Sequence, residues 1–163
     1  MSHMGKTELF DYFTTHGIDF ETREHPEVFT VEAMMPHLKG ISGAICKNLF
    51  LKDRAKNLYL LSAKYDREIT LSDVGKAVGA KDLRFADEGV MFETLGVKEG
   101  CVTAFALVND RDKEVKFLVD KQLVDGSFDH VSFHPLVNTA TTTISSKDFN
   151  KFLYLTRHKV VQF

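Results

Sequence analysis

The apolar run Ala44-Ile45-Cys46-Lys47-Asn48-Leu49-Phe50-Leu51 carries one lysine at its centre. Eight such residues predict a strand whose side chains alternate between faces. Ile45, Lys47, Leu49 and Leu51 then share one face, and Cys46, Asn48 and Phe50 the other. Both faces are mainly apolar, so the strand is expected to be covered on both sides. A lysine there must find partners, lose its proton or stand at the wall of a cleft. The ordinary alternative is that Lys47 snorkels to the surface past its neighbours. An ammonium in a cleft would supply one charge and up to three hydrogen-bond donors, which suits stabilisation of a developing oxyanion. Lys47 would act as a base only if burial lowered its pKa substantially.

Other reactive residue types are sparse. Cys46 or Cys101 with His134 would make a thiol nucleophile pair, but no supporting signature surrounds either cysteine, and a small buried hydrophobe is the commoner role. His130 and His134 are four apart, about 13 Å along a strand, too far to share one ion. Cys-x-x-Cys, His-Glu-x-x-His, Gly-x-Gly-x-x-Gly and Walker-type patterns are absent, so neither a metal nor a nucleotide cofactor is inferred. His134 reads equally well as a core histidine with both ring nitrogens satisfied.

The elements that would position these residues follow from periodicity and stop signals. Residues 7–16 carry Leu9, Phe10 and Phe13 at helical spacing, with Gly17 as the stop. Residues 18–23 alternate like a half-exposed strand. Thr30 reads as the N-cap of a short helix ending near Leu38, with Glu32 in its first turn. The Lys47 strand is next, and residues 57–63 read as its hairpin partner. Thr70-x-x-Asp73 resembles a capping box for a helix ending at Gly79. After Leu83-Arg84-Phe85, Asp87 is placed to cap a helix stopped by Gly96. Residues 103–108 and 114–119 are expected to be strands joined by the charged turn Asn109-Asp110-Arg111-Asp112-Lys113. Residues 130–133 and 139–144 complete the strand set, and Ser145-x-x-Asp148 caps a last helix bearing Phe149, Phe152 and Leu153. The expectation is an α+β fold with a mixed, strongly curved sheet and helices packed around it.

Several of these segments, in this order, resemble motifs of the aminoacyl-tRNA editing family, which includes the YbaK/ProX-like proteins and the editing insertion of bacterial prolyl-tRNA synthetases. Lys47-Asn48-Leu49-Phe50-Leu51-Lys52-Asp53 is similar to the family's lysine motif. His25-Pro26-Glu27-Val28-Phe29-Thr30-Val31-Glu32 resembles the segment leading into its substrate pocket, and Leu83-Arg84-Phe85-Ala86 its central strand. Gly100-Cys101-Val102-Thr103-Ala104 stands where the family has a Gly-x-x-x-Pro loop, and Phe133-His134-Pro135-Leu136-Val137-Asn138 resembles its His-Pro segment. The matches span about residues 20–145. The closest resemblance is to the free-standing, trans-acting type.

This resemblance implies a hydrolase that deacylates tRNA(Pro) wrongly charged with a smaller amino acid, usually alanine, without a cofactor. It implies Lys47 and Asn48 as the catalytic pair. Val28, Thr30, Val31, Gly100, Cys101, Val102, Thr103, Ala104, His134 and Asn138 would shape the substrate pocket. Lys52, Arg54, Lys56 and Arg84 would contact tRNA, and a prolyl-tRNA synthetase is a further implied partner. The 2′-hydroxyl of the terminal adenosine is a candidate for activating water, which would account for the lack of an obvious acid–base dyad. Ala104 replaces the usual loop proline, so a more mobile loop is expected. That substitution is the main feature favouring a different class, a catalytically weak tRNA- or synthetase-binding module. A small-molecule amide or ester hydrolase is a third class open to the same pocket.

Bulk properties agree with a single domain over residues 5–163. At 163 residues, roughly 70% of the unfolded surface can be buried. The 44% hydrophobic and 27% charged content is ordinary for a globular chain, while fourteen phenylalanines and no tryptophan predict a core of plain aromatic volume. No long apolar stretch and no signal peptide precede or interrupt the elements, and two unpaired-looking cysteines fit a cytoplasmic protein with no membrane role. Met1-Ser2-His3-Met4 resembles a cloning remnant. The net charge of -2 carries no signature of DNA or general nucleic-acid binding. Between Lys39 and Arg84, however, ten Lys and Arg stand against five Asp and Glu. That stretch is either a local face for phosphates or a solvated surface.

Overall fold

The computed structural model describes residues 3–163. Met1 and Ser2 of the leading segment lie outside these residues; Met4 is tied in, its N–H donating to Asn109 Oδ1 at 2.7 Å. The chain runs α1 (Lys6–Thr15), β1 (Glu21–Glu24), α2 (Val31–Met34), β2 (Ala44–Lys52), β3 (Leu58–Lys64), α3 (Leu71–Val78), β4 (Arg84–Phe85), α4 (Glu88–Leu95), β5 (Val115–Val119), β6 (His130–Phe133), β7 (Ala140–Ser145), α5 (Ser146–Thr156) and β8 (Val160–Gln162). Short 3-10 helices at Met35–Leu38, Ala104–Asn109 and Lys121–Leu123 link them. The strands form one mixed sheet in the order β1-β7-β6-β2-β3-β5-β8, with β4 also on β2. This is the α+β architecture expected.

β2 is the hinge of the sheet. It runs parallel to β6 only through Ala44 and Ile45, antiparallel to β3 from Cys46 to Lys52, and antiparallel to β4 through Leu51 and Lys52. Its alternation holds. Ala44, Cys46 and Phe50 enter the main core, whereas Leu49 and Leu51 pack on the opposite face with Leu61, Val74 and Leu118. Ile45 joins a third cluster with Val28, Met34 and Leu38. The main core is the phenylalanine mass that composition predicts: Phe105 lies with ring centroids 5.1 Å from Phe13, 5.2 Å from Phe133 and 5.6 Å from Phe152. Each such ring contributes about 1.5–3 kcal/mol by burial.

Several expectations need correction. Residues 103–108 are not a strand: Ala104–Asn109 is a 3-10 helix, opened by Thr103 Oγ1 accepting from Phe105 N–H at 3.2 Å. Phe105, Ala106 and Leu107 are all buried, and a run that is apolar all round fits a buried helix as well as a strand. The following charged turn is not simply solvated. Asp110 is buried, accepting from Val115 N–H at 2.8 Å and His158 Nε2 at 2.9 Å. Burial would raise the Asp110 pKa, but the His158 and backbone donors hold it below the usual carboxylate range. The strand expected at 18–23 is Glu21–Glu24, exposed throughout, while Ile18 belongs to the core. Leu83-Arg84-Phe85 is not central; only Arg84 and Phe85 pair, at the far end of β2. Thr30 and Ser145 cap their helices at 3.0 Å each, but Thr70 and Asp87 make no side-chain cap bond. β8, too short to carry a period, pairs parallel with β5.

Candidate active site

The change of partners along β2 leaves a gap. Tyr65 N–H donates to the Ile45 carbonyl, and Asp53 N–H to the Asn57 carbonyl, so odd-numbered residues turn their backbone groups toward β3. Ala86 N–H donates to the Phe50 carbonyl, so even-numbered residues turn theirs to the other edge. On that edge β6 stops at Ile45 and β4 begins at Leu51. The N–H and carbonyl of Asn48 therefore stand at an open edge without a strand partner among the described residues. A cleft of about 490 Å³ lies there, with Lys47, Asn48, Val31, Gly100, Val102 and His134 among its lining.

The Lys47 and Asn48 side chains each make one hydrogen bond among the described residues. Lys47 Nζ donates to the Arg67 carbonyl in the turn after β3. Two ammonium hydrogens remain. Asn48 stands opposite Ser62, and its Oδ1 accepts from the Ser62 hydroxyl. That orientation leaves the Nδ2 group as the free donor end of the amide.

Across the cleft the wall is made of loops. Asn138 Nδ2 donates to the Val28 carbonyl at 2.8 Å, joining the segment before α2 to the segment after β6. The Gly100 φ is +84°, and a Cβ there would stand 2.7 Å from Phe29 Cδ1 and 3.3 Å from Asn138 Nδ2. Glycine is what lets the Phe29 ring and the Asn138 amide close on this backbone. His134 Nδ1 lies 2.9 Å from the Ala140 carbonyl, to which it donates as N–H, leaving Nε2 as an acceptor. Burial pushes the His134 pKa down, against the pull of that carbonyl and with a contribution from His25. The ring is neutral at pH 7.

Not every residue singled out by resemblance reaches the cleft. Val28, Thr30, Val31, Gly100, Val102 and His134 line it; the Thr30 hydroxyl is occupied as the α2 cap. Thr103 and Ala104 are fully buried at the start of the 3-10 helix and belong to the core. Asn138 stands behind the wall as a brace, and Cys101 is half-buried beside it. Burial raises both thiol pKa values, that of Cys46 far above its ordinary range, which disfavours a thiolate nucleophile.

Local patterns missed Phe29, Phe85, Glu88 and Glu99, which also line the cleft. Phe29 is 65% exposed and Phe85 61%, unusual for rings of this size. A hydrogen bond with Glu99 raises the Glu88 pKa. These residues meet through tertiary packing; Phe29 and Phe85 lay inside segments that resemble family motifs, but no local signal marked either ring as part of the cleft. The basic residues sit past the cleft on the hairpin and β4. Lys52 lies 3.7 Å from Asp87 and Arg54 2.5 Å from Asp82, whereas Lys56 and Arg84 are exposed. The Arg54 hydrogen bond and charge, with a smaller contribution from Arg84, hold the Asp82 pKa below its usual value.

Comparisons with known proteins bear on the kinship and the fold of the chain. The model of the aminoacyl-tRNA editing domain matches residues 25–152. Prolyl-tRNA synthetase associated domain-containing protein 1 of Mus musculus is 46% identical over 156 residues, covering 94% of this chain and 92% of that protein. The prolyl-tRNA editing protein ProX of Acetoanaerobium sticklandii is 34% identical over 137 residues, covering 83% and 82%. A crystal structure described as a candidate trans-editing enzyme for prolyl tRNA synthetase superposes with a TM-score of 0.70 at 19% identity, over 99% of this chain and 98% of that one. That last likeness speaks for the fold, and the first three for kinship. The chain belongs to the aminoacyl-tRNA editing domain family.

Proposed function

We propose that this chain is a cytoplasmic aminoacyl-tRNA deacylase that hydrolyses mischarged tRNA(Pro) in trans, with Ala-tRNA(Pro) as its substrate. The observation that carries the proposal is the Lys47 ammonium at the wall of a cleft whose floor is the open edge of β2. The kinship with a prolyl-tRNA editing protein supports the substrate class.

In this scheme the ester carbonyl oxygen lies between Lys47 Nζ and the backbone N–H of Asn48 at the open edge. Water attacks the carbonyl carbon, and negative charge collects on the carbonyl oxygen. Preorganised donors there are usually the largest single contribution to such catalysis. The bond to the ribose 3′-oxygen then breaks, and that oxygen takes a proton, giving free amino acid and tRNA. The 2′-hydroxyl of the terminal adenosine orients the water. Neutral His134 contributes shape and one acceptor nitrogen. The apolar lining from Val28, Val31, Met34, Met91 and Val102 receives a small side chain, and one methylene of misfit shifts discrimination by about 1–3 kcal/mol. Lys56 and Arg84, with Lys52 and Arg54 beside them, receive acceptor-end phosphates, and a prolyl-tRNA synthetase is the partner that would deliver them.

The test is deacylation of tRNA(Pro) charged with Ala, Ser, Cys or Pro. Rapid loss of the Ala ester with the Pro ester spared is the expected result, with binding that weakens as salt rises. Binding without hydrolysis of any ester would sink the proposal.

A further inference from the structure

We infer that Asp120 is a positioning residue of this site, acting on Lys47 through Arg67. The inference rests on the role proposed above for Lys47. Asp120 follows β5, and its side chain is 2% exposed. Its N–H donates to the Ser62 carbonyl at 2.9 Å, extending the β3–β5 ladder by one rung. Its Oδ1 accepts from the Arg67 guanidinium at 2.9 Å and from Gln122 N–H at 3.0 Å. The guanidinium also lies over the Phe163 ring, 4.5 Å from its centroid. Arg67 is thus gripped from two sides, and its own carbonyl is the acceptor for Lys47 Nζ.

The turn from Lys64 to Arg67 leaves the sheet at the end of β3. It is closed by Arg67 N–H to the Lys64 carbonyl at 3.0 Å. A carbonyl in such a turn can swing by rotation of one peptide plane, and with it the ammonium it holds. The ion pair with Asp120 ties the turn to β5 and removes that freedom. A purely structural role fits the details less well. Asp120 Oδ2 is buried without a partner among the described residues. A buried carboxylate with an idle oxygen is costly, and apolar packing serves stability as well or better. Among the described residues its charge has one cationic partner within salt-bridge distance, and that partner carries the Lys47 contact.

Two substitutions separate positioning from stability. Asp120→Asn keeps an oxygen for Gln122 and removes the charge. Arg67→Met keeps an apolar stem against Phe163 and loses the guanidinium. Each variant is assayed for deacylation of Ala-tRNA(Pro), and for acetylation of Lys47 by an N-hydroxysuccinimide ester, read by peptide mass spectrometry against Lys76 of the same molecule. The expected result is a fall of about tenfold in kcat with KM nearly unchanged, since a misplacement of about 1 Å can cost up to a hundredfold. Lys47 should acetylate several-fold faster relative to Lys76, because its amine is released from the Arg67 carbonyl. The double variant should be no worse than the poorer single, as expected for one chain of contacts. Unchanged kcat and unchanged Lys47 acetylation in folded variants would overturn the inference. A kcat loss that merely tracks the unfolded fraction would overturn it too. Arg67→Met alone decides the matter if Asp120→Asn does not fold. If Lys47→Ala proves as active as the parent, the catalytic role of Lys47 fails, while the acetylation measurement still decides whether Asp120 positions it.

Discussion

The β2 wall of the cleft carries its donors on a hairpin whose register runs unbroken from Cys46 opposite Lys64 to Lys52 opposite Leu58. Asp53 fastens the hairpin turn, accepting from Tyr59 Oη at 2.7 Å and from Asn57 N–H at 2.9 Å. Opposite it, the segments around Val28, Gly100 and His134 contain no strand among the described residues, though Val28 N–H donates to the Asn138 carbonyl at 3.4 Å. They are held by the Asn138 amide, the Phe29 ring against Gly100, and the His134 bond to the Ala140 carbonyl. Regular pairing supplies many weak and redundant restraints, whereas the loop wall depends on a few individual contacts. In the proposed mechanism charge stabilisation, which tolerates no drift, belongs to the first wall, and the outline that must fit a side chain belongs to the second. Substitutions on the hairpin should therefore remove chemistry with little harm to the fold, and substitutions on the loops should disturb fit and stability together.

The largest effect is expected from Lys47→Ala, with deacylation lowered by about two to three orders of magnitude. The half-buried side chain leaves no stranded charge behind, and the β2–β3 register is untouched. Single-turnover deacylation paired with thermal unfolding would check this; near-parental turnover in a folded protein would break the comparison at its first wall. Gly100→Ala attacks the second wall. The new Cβ meets Phe29 and Asn138 while the backbone is held at φ +84°. A left-handed conformation costs an L-residue about 1–2 kcal/mol. We expect stability to fall by that amount in urea, and deacylation to drop about tenfold as the wall shifts. A parental urea midpoint would show that the loops have slack.

A smaller, pH-dependent effect separates the walls further. His134 has a depressed pKa in the folded chain because it is buried, so the unfolded chain binds a proton first as pH falls. Between the ordinary imidazole value near 6.5 and the lower folded value, the unfolded state holds more protons and stability rises with pH. This contribution is therefore complete above about pH 6.5 and is lost as pH falls below it. Comparing unfolding of the parent and His134→Gln between pH 7.5 and 5 isolates the effect. The parent should lose more stability over that range. Equal losses would mean that the ring is not the source.

The first wall was legible in the sequence because both faces of β2 are covered, so a lysine among Ile45, Leu49 and Leu51 stood out against its neighbours. Thr30 and Ser145 were legible for a local reason, since each caps through an amide three residues on. The second wall carries no period of its own, and Val28, Thr30, Val31, Gly100, Val102 and His134 were reached as cleft lining only through the family resemblance. Residues 103–108 are apolar in every direction, and such a run looks the same as a buried strand or a buried helix. Asn138 reaches Val28 across 110 residues, and Arg67 reaches Asp120 across the β3–β5 pairing. Neither contact leaves a local period. The basic stretch shows the opposite failure. Its count of charges was correct, but Arg54, Lys64 and Arg67 have acidic partners within 3.0 Å, which reduces the charge left to meet a phosphate.

Ala104→Pro is expected to have the smallest effect, and it tests whether the loop wall is as firm as its contacts suggest. From sequence, alanine at the place of the family's proline predicts a looser loop. In the structure Ala104 is the first residue of a 3-10 helix and fully buried, so packing restrains it without a fixed φ. Proline is well tolerated at a first helical position. Thr103, at φ -156° and ψ 149°, already has the extended backbone that a residue before proline prefers. Proline would narrow the unfolded ensemble by about 0.4–1 kcal/mol. Against this, its extra ring atoms enter a filled core, where overpacking costs about 1–3 kcal/mol. The net change should lie between neutral and about 2 kcal/mol of destabilisation. Because Ala104 does not line the cleft, deacylation of Ala-tRNA(Pro) should stay within about threefold of the parent, and the preference over Ser- and Cys-charged tRNA should hold. A marked gain in rate or selectivity would mean that burial alone leaves the loop wall loose, and that the two walls differ more in rigidity than their contacts indicate.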